Sequence, residues 1–492
     1  MRSINVGVMV LVLLTTSAAP SLQAQQPVPN AVVKVPGRDT LRLTLTDALA
    51  KAEPASEQVG IAKAGVRRNE GAVIQTRSAL LPQINLGPQY QYVFENPYQS
   101  LFPPDTTGSN PFTATNQWRL GGSASISLLN LSQWSQLGAS KAASRVSKLQ
   151  LSQQQALTIL TVASAYYDAS LTARLVTITE FTLAQAERTL KDVTLGRDVG
   201  TQSEFEQLRA RVARDNQIPV VTRARANRDI AVTRLKQLLD IPLPTEIVLE
   251  TPLDDQANPG VLPASVDTLL QGADTAAALR AVVRTAQETV IQNEQLNAAA
   301  GRQWIPTMST SMNYNRAGFS GDFIPASTEF YNDWNLVAVL NWPIFTSGRI
   351  LGSKKQAAAN LDAARLQAKL TGEQAALDNE TIYARLREAE DNGLATASVV
   401  EQATRAYEIA DLRYREGLST QTELQDVRLQ LEQARANQAQ AARDLQVARL
   451  RLTLMPYLPL GTAEGTAITT STVTSVGTAA QTLTGAVTST GR

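Results

Sequence analysis

The chain of 492 residues contains no cysteine and no histidine. These absences exclude disulfide frameworks, thiolate and imidazole zinc sites, Ser-His-Asp triads and cysteine nucleophiles. Charge is scarce as well, at 18% of residues against roughly 25% in ordinary soluble domains, and the net charge is +1. A nucleic-acid binder needs a basic stripe, so nucleic acid is not an expected partner. We therefore expect no enzyme, no cofactor and no metal site.

Long apolar runs are confined to the N-terminus. Residues 1–24 read as a signal peptide, with Arg2 before the run from Val6 to Leu14 and Ala24 at a small-residue cleavage site. That run of nine residues falls short of the roughly 20 needed for a membrane-spanning helix, so an N-terminal anchor is the weaker interpretation. Without cysteine, a thioether-linked lipid is excluded. The exported chain meets a membrane as a β-barrel or at its surface.

An internal duplication organises the mature chain. Leu81-Pro82-Gln83-Ile84 resembles Ile305-Pro306-Thr307-Met308, and Thr201-Gln202-Ser203-Glu204-Phe205 resembles Thr420-Gln421-Thr422-Glu423-Leu424, at offsets of 224 and 219 residues. Near-constant offsets predict two structural repeats. We place them at residues 41–240 and 265–456, with a proline-rich linker at 241–264 that holds a short strand. A threonine-rich tail at 457–492 is predicted to be mostly disordered.

Two segments in each repeat alternate with a period of 2. They lie at about residues 83–95, 117–130, 306–316 and 333–345. Each has one apolar face and one small or polar face, which predicts four strands. About ten residues is also the length of a tilted strand that crosses a bilayer.

Aromatic residues favour contact with lipid over a soluble β-sandwich, which is the alternative. Fifteen of the 25 aromatic residues fall within residues 88–118 and 314–345. Several lie at strand ends, where interfacial girdles form in membrane barrels. Membrane lipid is therefore an expected partner.

The remaining sequence predicts long helices. Residues 133–196 and 348–416 lack internal proline, and the pattern from Val427 through Leu431 and Ala434 to Leu452 indicates a coiled-coil seam. Pro219 is expected to kink or break the shorter helix between Thr201 and Asp240.

Four strands cannot close a barrel, and an open edge in lipid leaves backbone groups without partners. Two copies give about eight strands and no useful lumen, whereas three copies give 12. The predicted fold is a mixed α and β membrane protein. It combines a trimeric 12-stranded barrel, four strands per chain, with a long α-helical coiled-coil barrel.

The chain resembles the TolC-type outer-membrane efflux proteins from about Leu41 to Pro456. The resemblance rests on the duplicated layout, on the motifs around Pro82 and Pro306, on residues 342–348 (WPIFTSG), and on residues 414–424 (YREGLSTQTEL). It implies a homotrimer in the bacterial outer membrane with a large periplasmic part. It also implies an exit duct that joins an inner-membrane transporter through a periplasmic adaptor, the membrane fusion protein.

The resemblance implies an acidic gate at the periplasmic tip. Glu423 and Asp426 match the family's gate pair, and three copies would gather six carboxylates in a ring that attracts cations. The residues also allow a purely structural interpretation, in which Gly417 takes positive φ and Thr420 caps the next helix with Glu423 in a capping box.

Further tip residues follow from the same resemblance. Tyr414 and Glu204 match a tyrosine and an acid that hold the two tip hairpins of the family together, a contact that we call the latch. Ser419 stands where a relative has an arginine in this contact. Packing between helices is the alternative role for Tyr414. In the first repeat Asp198 replaces the tip glycine and is expected to tolerate left-handed geometry. Adaptor docking is expected at Gly417, Leu418, Val199 and Gly200, with an ordinary loop as the alternative.

The expected function is passive export of small molecules, drugs or other toxic compounds, through the outer membrane. A duct for type I protein secretion is the alternative within the family. A soluble periplasmic coiled-coil adaptor or structural protein is the alternative from another class, and the four strands count against it.

Overall fold

The computed structural model describes residues 40–95, 114–253, 280–320, 323 and 330–461. The predicted signal peptide, the linker beyond residue 253, most of each loop between paired strands and the tail beyond residue 461 lie outside the described residues. The chain is mostly helical, and the order helix, strand, strand, long helix, shorter helix occurs twice among its described elements.

The first half begins with a short strand and continues with helices on both sides of a strand pair. Its elements are β1 (Thr40–Leu43), α1 (Leu45–Ala55), α2 (Glu57–Ser78), β2 (Gln83–Tyr92), β3 (Asn116–Leu129), α3 (Leu131–Asp198), α4 (Glu204–Leu238) and β4 (Glu246–Leu249). The second half contains α5 (Ala281–Gly301), a 3₁₀ turn (Arg302–Trp304), β5 (Thr307–Ser320), β6 (Phe330–Asn341), α6 (Arg349–Arg415) and α7 (Gln421–Leu454).

The four long strands form one antiparallel sheet in the order β2-β3-β5-β6. Each of them joins a helix at the same edge of the sheet, because α2 and α5 enter β2 and β5 while β3 and β6 lead into α3 and α6. We call this the helical edge. Strands β2 and β6 are the two outer strands, so among the described residues each has one side without a strand partner.

The register separates polar from apolar side chains. Asn85, Ser123, Asn313 and Asn335 lie across the four strands in one row, and Ile84, Ala124, Met312 and Leu336 form the adjacent row on the opposite face. The apolar face is open in the single chain: Leu86 is 84% exposed and Trp334 is 71% exposed. An apolar surface of this kind requires a partner or a lipid environment.

The two longest described helices form the elongated part of the chain. Helix α3 has 68 residues and α6 has 67, so each extends about 100 Å at 1.5 Å per residue. Helix α3 packs along α2, α4, α5 and α7. Its buried positions include many alanines and serines, which allow neighbouring helices to approach closely. None of the described helices combines the length and apolar character needed to cross a membrane.

Pro219 does not break its helix. Helix α4 continues from Glu204 to Leu238 through Pro219. The missing N–H and the ring clash affect only the preceding turn, and the packing of α4 along α3 holds the helix on both sides of it.

A second, small sheet lies midway along the helices. Strand β1 pairs in parallel with β4, from Thr40 opposite Glu246 to Leu43 opposite Leu249. The buried Tyr166 hydroxyl donates to the Leu43 carbonyl at 3.0 Å and accepts from the Thr251 amide at 3.1 Å. An apolar cluster, the larger of the two in the described part of the chain, surrounds this sheet and includes Leu235, Leu454 and Leu458. The chain therefore remains packed beyond residue 456, where the sequence predicted that the tail begins.

The second strand of the second repeat is shorter than predicted at its C-terminal end and begins earlier. Strand β6 ends at Asn341 rather than near Phe345. Pro343 has no N–H to extend the ladder, and Ser347 and Gly348 take φ of 47° and 86°. Trp342 to Phe345 therefore form the connection into α6.

Candidate functional site

The two helical hairpins end in glycine turns. Gly200 follows α3 with φ of 79°, and Gly417 follows α6 with φ of 73°. At the second tip the Leu418 amide donates to the Arg413 carbonyl at 2.8 Å, and the Gly417 amide donates to the Tyr414 carbonyl at 3.0 Å. These bonds satisfy the last carbonyls of α6.

The sequence expectation for Asp198 was wrong. Asp198 is the last residue of α3, and the left-handed position is Gly200. Because glycine has no Cβ, it takes this geometry without strain. The turn glycine of the first tip therefore lies two residues after the position that matches Gly417. The Asp198 carboxylate accepts a hydrogen bond from the Arg197 guanidinium at 2.8 Å.

Both returning helices have side-chain caps. Thr420 Oγ1 accepts from the Glu423 amide at 3.3 Å, and Ser203 Oγ accepts from the Glu206 amide at 3.2 Å. The carboxylate of Glu423 accepts from Arg413 Nη1 at 3.2 Å. The cap predicted at Thr420 is present, while the Glu423 carboxylate is engaged by arginine.

Glu423 and Asp426 lie three residues apart in the first turns of α7. Asp426 is exposed, and Glu423 is partly exposed beside Arg413. Within one chain, Arg413 offsets part of the negative charge at the predicted gate. Among the described residues, no group of three acidic side chains is arranged to hold a metal ion.

The structure does not join Tyr414 to Glu204. No hydrogen bond between them occurs among the described residues, and Glu204 is exposed. Burial raises the pKa of the Tyr414 phenol, and the carboxylates of Glu206 and Asp192 raise it further. The acids that face Tyr414 electrostatically are thus Glu206 and Asp192.

Gln421 links the two tips within one chain. It is buried at the start of α7. With its amide oriented to suit its neighbours, its nitrogen donates to Glu206 Oε2 at 2.7 Å and its oxygen accepts from the Ala210 amide at 3.2 Å. Glu206 therefore contacts Gln421 and influences Tyr414, so it belongs to both hairpins.

Sequence reasoning missed Gln421 and Glu206. A signal was present for the burial of Gln421 alone, because Gln421, Leu424, Arg428 and Leu431 follow the same alternation of three and four residues as the predicted seam, and all four are buried. The seam thus extends to the start of α7, where polar Gln421 and Arg428 alternate with apolar Leu424 and Leu431.

The tip residues predicted for docking are accessible. Leu418 and Val199 are exposed apolar side chains, and Gly200 and Gly417 have open space around them. The Ser419 hydroxyl, by contrast, is buried without a hydrogen-bond partner in the described part of the chain. At this tip the guanidinium of Arg413 donates to the Leu418 carbonyl at 3.4 Å in addition to Glu423.

Solved structures share the fold along most of the chain. VceC of Vibrio cholerae, described as an outer membrane protein, has a TM-score of 0.67 at 16% identity and covers 83% of this chain and 95% of its own. The open state of the MtrE outer membrane channel of Neisseria gonorrhoeae has a TM-score of 0.67 at 19% identity, covering 84% and 88%. The CmeC outer membrane channel of Campylobacter jejuni has a TM-score of 0.66 at 16% identity, covering 84% and 86%.

Sequence comparison gives the family directly. Among curated protein sequences no relative matches the chain significantly. The family model described as outer membrane efflux protein matches residues 48–240 and 270–455, one segment in each half of the chain. The resemblance to TolC-type channels is confirmed, and members of this family are passive ducts without enzymatic activity. The chain belongs to the outer membrane efflux protein family.

Proposed function

We propose that three copies of this chain form the outer-membrane exit duct of a tripartite efflux pump that exports small toxic molecules. The observation that carries the proposal is the two-faced sheet, with exposed apolar rows on one side and asparagine and serine rows on the other. A sheet that separates lipid from a water-filled lumen requires this division of its faces.

The free strands β2 and β6 support closure through neighbouring copies. In lipid each unpaired backbone group costs several kcal/mol, so both edges need partners. Because β2 and β6 run in opposite directions in the four-stranded sheet, β6 of one chain pairs antiparallel with β2 of the next. Three copies give a closed 12-stranded barrel, an even number as in bacterial outer-membrane barrels.

The helices support a periplasmic tube. Helices of about 100 Å continue directly from the helical edge, so they extend the wall of the barrel away from the membrane. We assign Glu423 and Asp426 to a cation-attracting ring at the tips and Leu418, Val199, Gly200 and Gly417 to adaptor docking. For the tip latch we propose Tyr414 with Glu206, in place of the Glu204 pairing expected from the sequence.

Two experiments test this function. Membrane fractionation is expected to recover the mature protein as a trimer in the outer membrane, and a soluble periplasmic monomer would exclude the duct. Deletion of the gene is expected to sensitise cells to small toxic compounds and to leave protein export intact. A defect confined to an exported protein would instead favour type I secretion.

A further inference from the structure

A group of cations surrounds the helical edge of the sheet. Within residues 71–82, 130–144, 295–306 and 342–358, which flank the four strand-helix junctions, there is no aspartate or glutamate. The same ranges contain six cationic residues, which we call the basic collar: Arg77, Lys141, Arg302, Arg349, Lys354 and Lys355.

The basic collar is exposed and lacks counter-charges. All six residues are exposed, and in the described part of the chain none of them forms an ion pair. This differs from the next turns of the same helices, where Lys148 pairs with Glu70 at 2.9 Å and Arg145 with Glu288 at 2.8 Å. The collar cations therefore have no acidic neighbour in these four ranges, whereas further along α2, α3 and α5 acids are present and pair with Lys148 and Arg145.

Contacts between helix ends bring the collar together. The guanidinium of Arg302 donates to Ser135 at the start of α3, and Arg349 Nη1 donates to Gln303 at 3.5 Å. Thr76 and Ser140 hydroxyls lie 3.0 Å apart, which joins the end of α2 to α3 beside Arg77 and Lys141. Four helix ends thus carry the collar cations, which lie within about three turns of the helical edge.

Exposed aromatic side chains accompany the cations. Trp134, Trp304, Trp342 and Phe345 flank the strand-helix junctions, and Phe345 is 85% exposed. Tryptophan at such a position lies at the headgroup level of a bilayer, with its apolar ring toward the acyl chains. Cations just beyond a tryptophan belt meet the phosphates of the headgroups.

We propose that the basic collar binds anionic phospholipid headgroups, of the phosphatidylglycerol class, in the inner leaflet of the outer membrane. This inference rests on the proposed outer-membrane duct, which sets the helical edge at the periplasmic surface. Charge complementarity selects the occupant, because six cations per chain that have no ion pair among the described residues favour an anionic headgroup over a zwitterionic one. The bound lipids set the depth at which the barrel sits and seal its periplasmic rim.

The test measures which lipids stay bound to the purified trimer. The mature protein is reconstituted in nanodiscs that contain equal amounts of phosphatidylglycerol and phosphatidylcholine, and native mass spectrometry of the released trimer counts each retained lipid. The triple variant Arg349→Gln, Lys354→Gln, Lys355→Gln removes half of the collar. The matched control, Arg211→Gln, Arg223→Gln, Arg234→Gln, removes three exposed cations of α4, which carry no ion pair among the described residues.

The parent protein and the control are expected to retain phosphatidylglycerol in excess over its bulk share. The collar variant is expected to lose this preference on the order of tenfold. Retained lipid of bulk composition in the parent, or an unchanged preference in the collar variant, overturns the inference. An equal loss in the control also overturns it, because the effect would then follow net charge.

The same spectra separate the two proposals. A parent protein that yields no trimer contradicts the proposed duct, whereas a trimer with lipids of bulk composition contradicts only the collar. If the triple variant does not assemble, the variant Lys354→Gln, Lys355→Gln replaces it, and the same criteria apply to its lipid preference.

Discussion

Arg280 and Asp378 form a buried ion pair, with Nη1 and Oδ2 2.8 Å apart and side chains 0% and 8% exposed. Arg280 precedes α5 and Asp378 lies within α6. Arg280 also donates to Asn379 at 2.9 Å and to the Leu458 carbonyl at 3.2 Å, while the Gly461 amide donates to Asp378 at 3.3 Å. The pair therefore joins the entry of the second repeat to the chain that leaves it.

Asp378→Asn is expected to destabilise the chain by about 3–5 kcal/mol, because it leaves the Arg280 charge buried without its counter-charge. Chemical unfolding followed by circular dichroism measures the free energy. Arg42→Gln is the control, since it breaks the exposed pair with Glu250 at 3.3 Å and is expected to change nothing measurable. Equal effects of the two variants would contradict a structural role for the buried pair.

The double variant Glu423→Ala, Asp426→Ala is expected to weaken cation selectivity and block by multivalent cations in planar bilayers. Each of its two substitutions removes a negative charge from the proposed ring. Arg413→Gln is expected to act in the opposite direction, since it frees the Glu423 carboxylate from its 3.2 Å partner. Glu416→Gln is the control for an exposed acid of the same tip. Unchanged selectivity in the double variant would remove these residues from the gate.

Tyr414 is expected to make the helical tip sensitive to alkali. The pKa of Tyr414 is raised in the folded protein, so the neutral phenol stabilises the fold fully at pH below the ordinary pKa of 10.0. This stabilisation is lost as the pH rises from that value through the raised pKa. Difference absorbance between the parent and Tyr414→Phe follows this titration. Glu206→Gln is expected to lower the midpoint, whereas Glu204→Gln leaves it unchanged; the reverse result would restore the latch expected from the sequence.

Gly200→Ala and Gly417→Ala are each expected to cost about 1–2 kcal/mol, because an added Cβ strains left-handed backbone. No atom lies within 4 Å of the added Cβ at either site, so the cost arises from the backbone alone. Gly71→Ala in α2, which has equally open space, is expected to stabilise the chain by about 0.5–1 kcal/mol. Chemical unfolding of the three variants checks this opposite sign.

The sequence predicted the long helices and the four strands because each depends on local pattern: α3 and α6 contain no proline, and the strands alternate with period 2. It missed β1, whose four residues acquire a partner only through β4, 206 positions later in the chain. It also missed the contact between Gln421 and Glu206, because two polar residues on different hairpins carry no periodic signal of their meeting. The turn residue is Gly200 and not Asp198, because α3 continues through Asp198. The sequence did not show where α3 ends, and the position of the turn depends on that end.

Disulfide cross-linking between neighbouring chains tests the closed duct most directly, because the chain has no cysteine of its own. Because β6 corresponds to β3 and β2 to β5 in the internal repeat, β6 of one copy is expected to pair with β2 of the next in the register that β3 and β5 have within one chain. In that register Val339 lies opposite Gln89. Within one chain these strands are three spacings of about 4.8 Å apart, beyond the roughly 7 Å reach of a disulfide.

The variant Gln89→Cys, Val339→Cys is therefore expected to give a covalent trimer on a non-reducing gel of outer membranes, which returns to monomer on reduction. Each single-cysteine variant serves as a control and is expected to stay monomeric on the same gel. A double variant that remains monomeric, or that forms a ladder extending beyond the trimer, would contradict a duct closed by three copies.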